Sequence, residues 1–131
     1  MLTTRPAGRC RLPGPNRVLA SAAAALLVGA CAAAPPVPGP VVAVEASEFS
    51  FAPASVSVPA GAVSFHVTNT GSLEHEFEIL QGERVLGEVE GLVPGLEMNL
   101  TVELPTGEYE FVCRLPGHLE AGMRGTLTVT R

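Results

Sequence analysis

The sequence contains no lysine, no aspartate and no tryptophan, and a single tyrosine. Arginine carries every fixed positive charge and glutamate every negative one, a bias that points to GC-rich coding more than to function. Eight basic residues against 13 acids leave no surface able to neutralise phosphates, which argues against nucleic-acid binding. Three cysteines, Cys10, Cys31 and Cys113, cannot build a disulfide framework without leaving one over. At 131 residues the chain is too short for a multidomain enzyme. Its early apolar run, Val18 to Ala30, is 13 residues long and so too short to span a bilayer.

What precedes and follows that run is informative. Arg5, Arg9, Arg11 and Arg17 come before it with no acid among them, so residues 1–30 read as a secretory signal with a basic head and a short apolar stretch. Leu27-Val28-Gly29-Ala30-Cys31 resembles the lipobox of bacterial lipoproteins, where small residues precede a cysteine that is lipidated and becomes the new N-terminus. On that resemblance Cys31 is the lipidation site, Cys10 leaves with the signal, and Cys113 is the thiol that remains. An ordinary signal cleaved at Ala30 or Ala34 is the alternative. No adjacent Arg-Arg pair marks a twin-arginine route, so folding is expected to follow export. Residues 31–42, with Pro35, Pro36, Pro38 and Pro40, read as a semi-rigid tether to a domain over 43–131. Beyond residue 17 four Arg face all 13 Glu, a net charge of −9.

From Val41 onward the apolar period is two. Val63, Phe65 and Val67 alternate with Ser64, His66 and Thr68; Met98, Leu100, Val102 and Leu104 alternate with polar neighbours. His75, Phe77 and Ile79 share one phase, with Glu76 and Glu78 expected outward. Tyr109, Phe111 and Cys113 share another phase, as do Leu127 and Val129. Turn signals separate the runs at Pro59-Ala60-Gly61, Asn69-Thr70-Gly71, Gln81-Gly82, Pro94-Gly95, Pro105-Thr106-Gly107 and Pro116-Gly117. The expected fold is all-β, a Greek-key β-sandwich of seven or eight strands.

The chemistry concentrates in Cys113-Arg114-Leu115-Pro116-Gly117-His118-Leu119-Glu120-Ala121-Gly122-Met123, which offers thiolate, imidazole and thioether at C-x4-H-x4-M spacing. Soft sulfur beside imidazole suits copper, and two His, one Cys and a weak axial Met form the blue-copper arrangement. His75 is positioned to supply the second imidazole, because it lies inward at a strand start as Cys113 lies inward at a strand end. Zinc is disfavoured, since Met is a poor zinc ligand. His66, on a polar strand face, reads as solvated, Met98 as core, and Glu74, Glu76 and Glu78 as surface.

Residues 43–131 resemble the cupredoxins of the plastocyanin, azurin and auracyanin kind. The resemblance rests on Gly107-Glu108-Tyr109-Glu110-Phe111-Val112-Cys113, Pro116-Gly117-His118, Ala121-Gly122-Met123 and Gly125. It implies one type 1 copper, held strongly by His75, Cys113 and His118 and weakly by Met123. Glu76 stands where that family often has Asn, which puts the tie between the two ligand loops in question. A looser resemblance, through Phe77-Glu78-Ile79-Leu80, Gly87-Glu88-Val89-Glu90, Val93-Pro94-Gly95 and Leu104–Cys113, is to the cupredoxin domain of Efe-type iron-uptake lipoproteins.

Together these features imply a monomeric electron carrier, not an enzyme. It is expected in the periplasm or on the outer side of a bacterial cytoplasmic membrane, held by its N-terminal lipid. Its partner would be a cytochrome or membrane oxidoreductase, met through Leu115, Pro116, Leu119 and Ala121 around an exposed His118 edge. Copper delivery or sequestration, or a redox role in iron uptake, is the alternative.

Overall fold

The computed structural model describes residues 38–131. The expected signal segment (1–30), the lipidation candidate Cys31 and most of the Pro/Ala-rich tether lie outside these residues.

The alternating runs form β1 (Val41–Ser47), β2 (Ser50–Ala52), β3 (Ser55–Pro59), β4 (Gly61–Asn69), β5 (His75–Gln81), β6 (Arg84–Leu92), β7 (Glu97–Leu104), β8 (Gly107–Val112) and β9 (Arg124–Thr130). They make two sheets, ordered β2-β1-β4-β7 and β3-β9-β8-β5-β6. Most neighbours are antiparallel. β1 lies parallel to β4 and β3 parallel to β9, so the chain crosses repeatedly between the sheets. Among the described residues there are nine strands, one or two more than expected. One added strand is the three-residue β2, too short for any alternation to be seen in its sequence.

Period-two patterning decides which side chains meet between the sheets. Val63, Phe65 and Val67 of β4 are all fully buried, as are Phe77 and Ile79 of β5, while their even-numbered partners on β4 stay half-exposed. Four phenylalanines bridge the two layers. Phe51 packs edge-on against Phe77 and Phe111 at centroid separations of 5.5 Å, and Phe65 and Phe111 lie 5.5 and 5.4 Å from Phe77. Such pairs add to area burial and hold the sheets in a fixed relation. Tyr109 closes the opposite end of its strand, donating its hydroxyl to the Pro105 carbonyl at 2.6 Å.

One outward expectation fails. Glu78 is 7% exposed although His75, Phe77 and Ile79 keep the inward phase: β5 is an interior strand, and Glu78 lies between Val112 of β8 and Glu88 of β6. Leu80, in the same phase, is buried too, while Glu76 is half-exposed. The Glu78 carboxylate lies 3.3 Å from Arg114 Nε.

Candidate metal centre

His75 opens β5 two residues before Phe77, and Cys113 follows β8 two residues after Phe111. Each occupies the next inward rung beyond the aromatic cluster, on neighbouring strands that pair through Ile79 and Phe111. The site is thereby built on packed sheet. Both side chains are fully buried.

The third group arrives on the 113–123 loop, which backbone bonds fold back on itself. Cys113 N–H donates to the Met123 carbonyl (3.1 Å), Met123 N–H to the His118 carbonyl (3.0 Å) and His118 N–H to the Leu115 carbonyl (3.0 Å). Gly117 makes the reversal before His118 with φ of 86°, a conformation open to glycine and costly for other residues.

One ligand atom each from His75, Cys113 and His118 lies within 4.8 Å of the other two. His75 Nδ1 is 3.3 Å from His118 Nδ1, which is 3.4 Å from Cys113 Sγ. Met123 is fully buried and tied by its backbone to both Cys113 and His118. Two imidazole lone-pair positions and one sulfur converging in a buried space need a shared proton or a cation between them.

The protonation preference of His75 agrees with that geometry. Burial, followed by the neighbouring His118, pushes His75 below its ordinary value and keeps it neutral, the form that binds metals. Burial pushes the Cys113 thiol up, although the N–H groups of Glu76 and Leu115 oppose it. The Glu76 N–H donates to Sγ at 3.3 Å. The tie between the two ligand segments is thus made by a main-chain group, and Glu in place of Asn does not remove it.

Three neighbours were not apparent from the sequence. Asn69, 1% exposed, donates from Nδ2 to the carbonyls of Leu73 and Leu92 at 2.7 Å each, and accepts the Gly71 N–H at 2.8 Å. It joins the segment leading into His75 to the end of β6. Glu48 Oε1 accepts the N–H groups of Ser72 and Leu73, and these bonds hold its carboxyl below the ordinary range. Phe49 stands edge-on to His118 at a centroid distance of 4.9 Å. His118 is 8% exposed, with Phe49 packed against one side of its ring. The Asn69-Thr70-Gly71 turn was the one signal available, and it marked a bend without showing what the amide would reach.

His66 is remote from this cluster, bonded to Asn99 and 3.3 Å from Glu97. Met98 is partly buried against the core, as expected. Burial and then the adjacent Glu78 push the Glu76 carboxyl up.

A family profile described as a cupredoxin-like domain matches residues 18–129. The chain belongs to the cupredoxin-like family. Among solved structures, auracyanin B superposes with a TM-score of 0.68 at 25% identity, over 75% of this chain and 94% of that one. Auracyanin A of Chloroflexus aurantiacus, described as a blue copper protein, superposes with a TM-score of 0.64 at 19% identity, over 70% of this chain and all of that one (100%). Among curated proteins, the iron uptake system component EfeO of Yersinia pestis is 38% identical over 78 residues, 60% of this cupredoxin-like chain. That match spans 20% of the EfeO chain, so this protein corresponds to about a fifth of the curated relatives it resembles.

Proposed function

We infer that the protein is an exported type 1 copper protein that carries single electrons between redox partners, anchored to a membrane by lipid at Cys31. The observation that carries this reading is the convergence of His75, Cys113 and His118 within 4.8 Å at the end of an aromatic-packed sandwich. His75, Cys113 and His118 would hold the ion, with Met123 as a weak thioether ligand; one-electron exchange is the chemistry that copper supplies when bound.

The chain's own part is to hold the donors still and keep water away. Strand ends and a loop closed by backbone bonds leave little for the ligands to rearrange between oxidation states. Phe49 packs edge-on against His118, and a partner would meet it together with the exposed Leu73, Val93 and Leu96 on the loops tied by Glu48 and Asn69. An apolar face of this kind suits brief, low-area docking by a redox partner such as a cytochrome or membrane oxidoreductase. The net charge of −9 beyond residue 17 would steer a basic one.

A second reading, a redox helper in iron uptake, is favoured by the 38% identity to EfeO. Visible absorption and EPR of Cu(II)-loaded protein test the first reading. Wild type should show an intense thiolate-to-copper band that Cys113→Ser abolishes; a colourless protein with a tetragonal EPR signal would refute it. Anchoring is tested by detergent partitioning and mass, both of which Cys31→Ser should change.

A further inference from the structure

We propose that Glu48 is the positioning residue for His75: its carboxylate takes the Nε2–H, turning Nδ1 toward Cys113 and His118 and strengthening the ring as a donor to Cu(II). This rests on the copper reading above. His75 Nε2 is fully buried and has no hydrogen-bond partner in full geometry among the described residues; Glu48 Oε1 lies 3.4 Å from it. A buried ring N–H left without an acceptor forfeits its hydration and gains nothing in return. The carboxylate at that distance is the group in place to relieve it.

That carboxylate is fixed, not free in solvent. Its Oε1 accepts Ser72 N–H at 2.7 Å and Leu73 N–H at 2.8 Å, and its side chain is only 30% exposed. Gly71 makes the room. A Cβ at that position would collide with the Glu48 carboxylate, so the absence of a side chain there is needed for the close approach. The neighbouring Phe49 touches the other imidazole. One turn between β1 and β2 therefore reaches both histidines, and the two contacts differ in kind: an anion on His75, an aromatic edge on His118.

A carboxylate accepting from the far nitrogen of a ligand imidazole fixes its tautomer and raises its basicity, and loss of such a partner typically weakens metal binding about 10–100-fold. The more basic ring favours the harder Cu(II) over Cu(I). Glu48→Gln keeps an oxygen acceptor for Ser72, Leu73 and His75 and removes only the charge. Glu48→Ala removes both. Gly71→Ala leaves the charge on the protein but displaces it. Glu45→Gln, at an exposed β1 position, controls for a general loss of charge.

The test uses the full chain and two measurements. Long-range 1H–15N correlation on metal-free protein should find His75 protonated at Nε2 in wild type and Glu48→Gln, and a mixture of tautomers in Glu48→Ala and Gly71→Ala. In the copper-loaded protein, Glu48→Gln should shift relative affinity toward Cu(I) about tenfold, about 59 mV upward for a one-electron couple, whereas Glu45→Gln shifts it less than about twofold. Wild-type His75 protonated at Nδ1, or equal shifts in the Glu48→Gln and Glu45→Gln proteins, overturns the proposal. A wild type that takes up no copper overturns the copper reading instead, and the tautomer measurement still decides whether Glu48 holds His75.

Discussion

Replacing Asn69 by alanine should destabilise the metal-free domain by about 3 kcal/mol. Three hydrogen bonds vanish, two donated at 2.7 Å to the Leu73 and Leu92 carbonyls and one accepted at 2.8 Å from Gly71. Each is worth about 0.5–1.5 kcal/mol net, and the groups left behind are too enclosed for water to replace the amide fully. With a urea m-value of about 1.5 kcal/mol/M, the unfolding midpoint should fall by about 2 M. Asn69→Asp is the sharper test. It keeps the oxygen that Gly71 needs but points a second oxygen at two carbonyls, so at pH 7 it should be less stable than Asn69→Ala. Its folded-state pKa is then raised, because the protonated acid can donate to one carbonyl and the anion cannot. Stability relative to wild type should accordingly recover as pH falls through that raised value. A loss below about 1 kcal/mol for alanine, or an aspartate protein more stable than the alanine one at pH 7, would refute the reasoning.

Glu78 predicts a second pH dependence: burial raises its carboxyl above the ordinary 4.5 despite Arg114. Between that value and the raised one the native state binds the extra proton, so this group's contribution falls as pH rises; Glu78→Gln should gain on wild type as pH rises from about 4.5 through the raised value, and urea titrations finding no trend or the reverse would count against it. Tyr109→Phe should cost about 1 kcal/mol in thermal or urea unfolding, by leaving the Pro105 carbonyl without its 2.6 Å partner. Met123→Leu should leave copper bound and coloured with a raised potential; a large loss of Cu(I) affinity at nearly unchanged potential, seen by chelator competition, would favour metal handling over electron transfer.

The sandwich and the inward phase of His75 and Cys113 were legible because both depend on parity. Phase alone put His75 with Phe77 and Cys113 with Phe111, and the burial of all four follows. Their separation was not legible, since it depends on which strands pair: β5 meets β8, which lies far along the chain. Glu48 and Asn69 escaped notice for the same reason. Their partners are 24 or 25 and up to 23 residues away, and turns carry no period from which to project a side chain. Glu78 was misplaced because alternation tells which face a residue is on and not whether that face is covered, and β5 is an interior strand. The contact of Phe49 with His118 was not legible because Phe49 comes from a turn, not from the loop that carries the histidine.

The direction of β1 gives the molecule a polarity. The strand begins at Val41, beside Ser64 near the start of β4, and ends at Ser47, one residue before the carboxylate that faces His75. The six steps from the first to the last of its seven residues, at about 3.3 Å each, separate the two ends by about 20 Å. Whatever holds the chain upstream of Val41 therefore pulls on the pole opposite the histidines. If the chain is anchored through Cys31, as proposed above, the attachment enters the domain at the end of β1 away from His75.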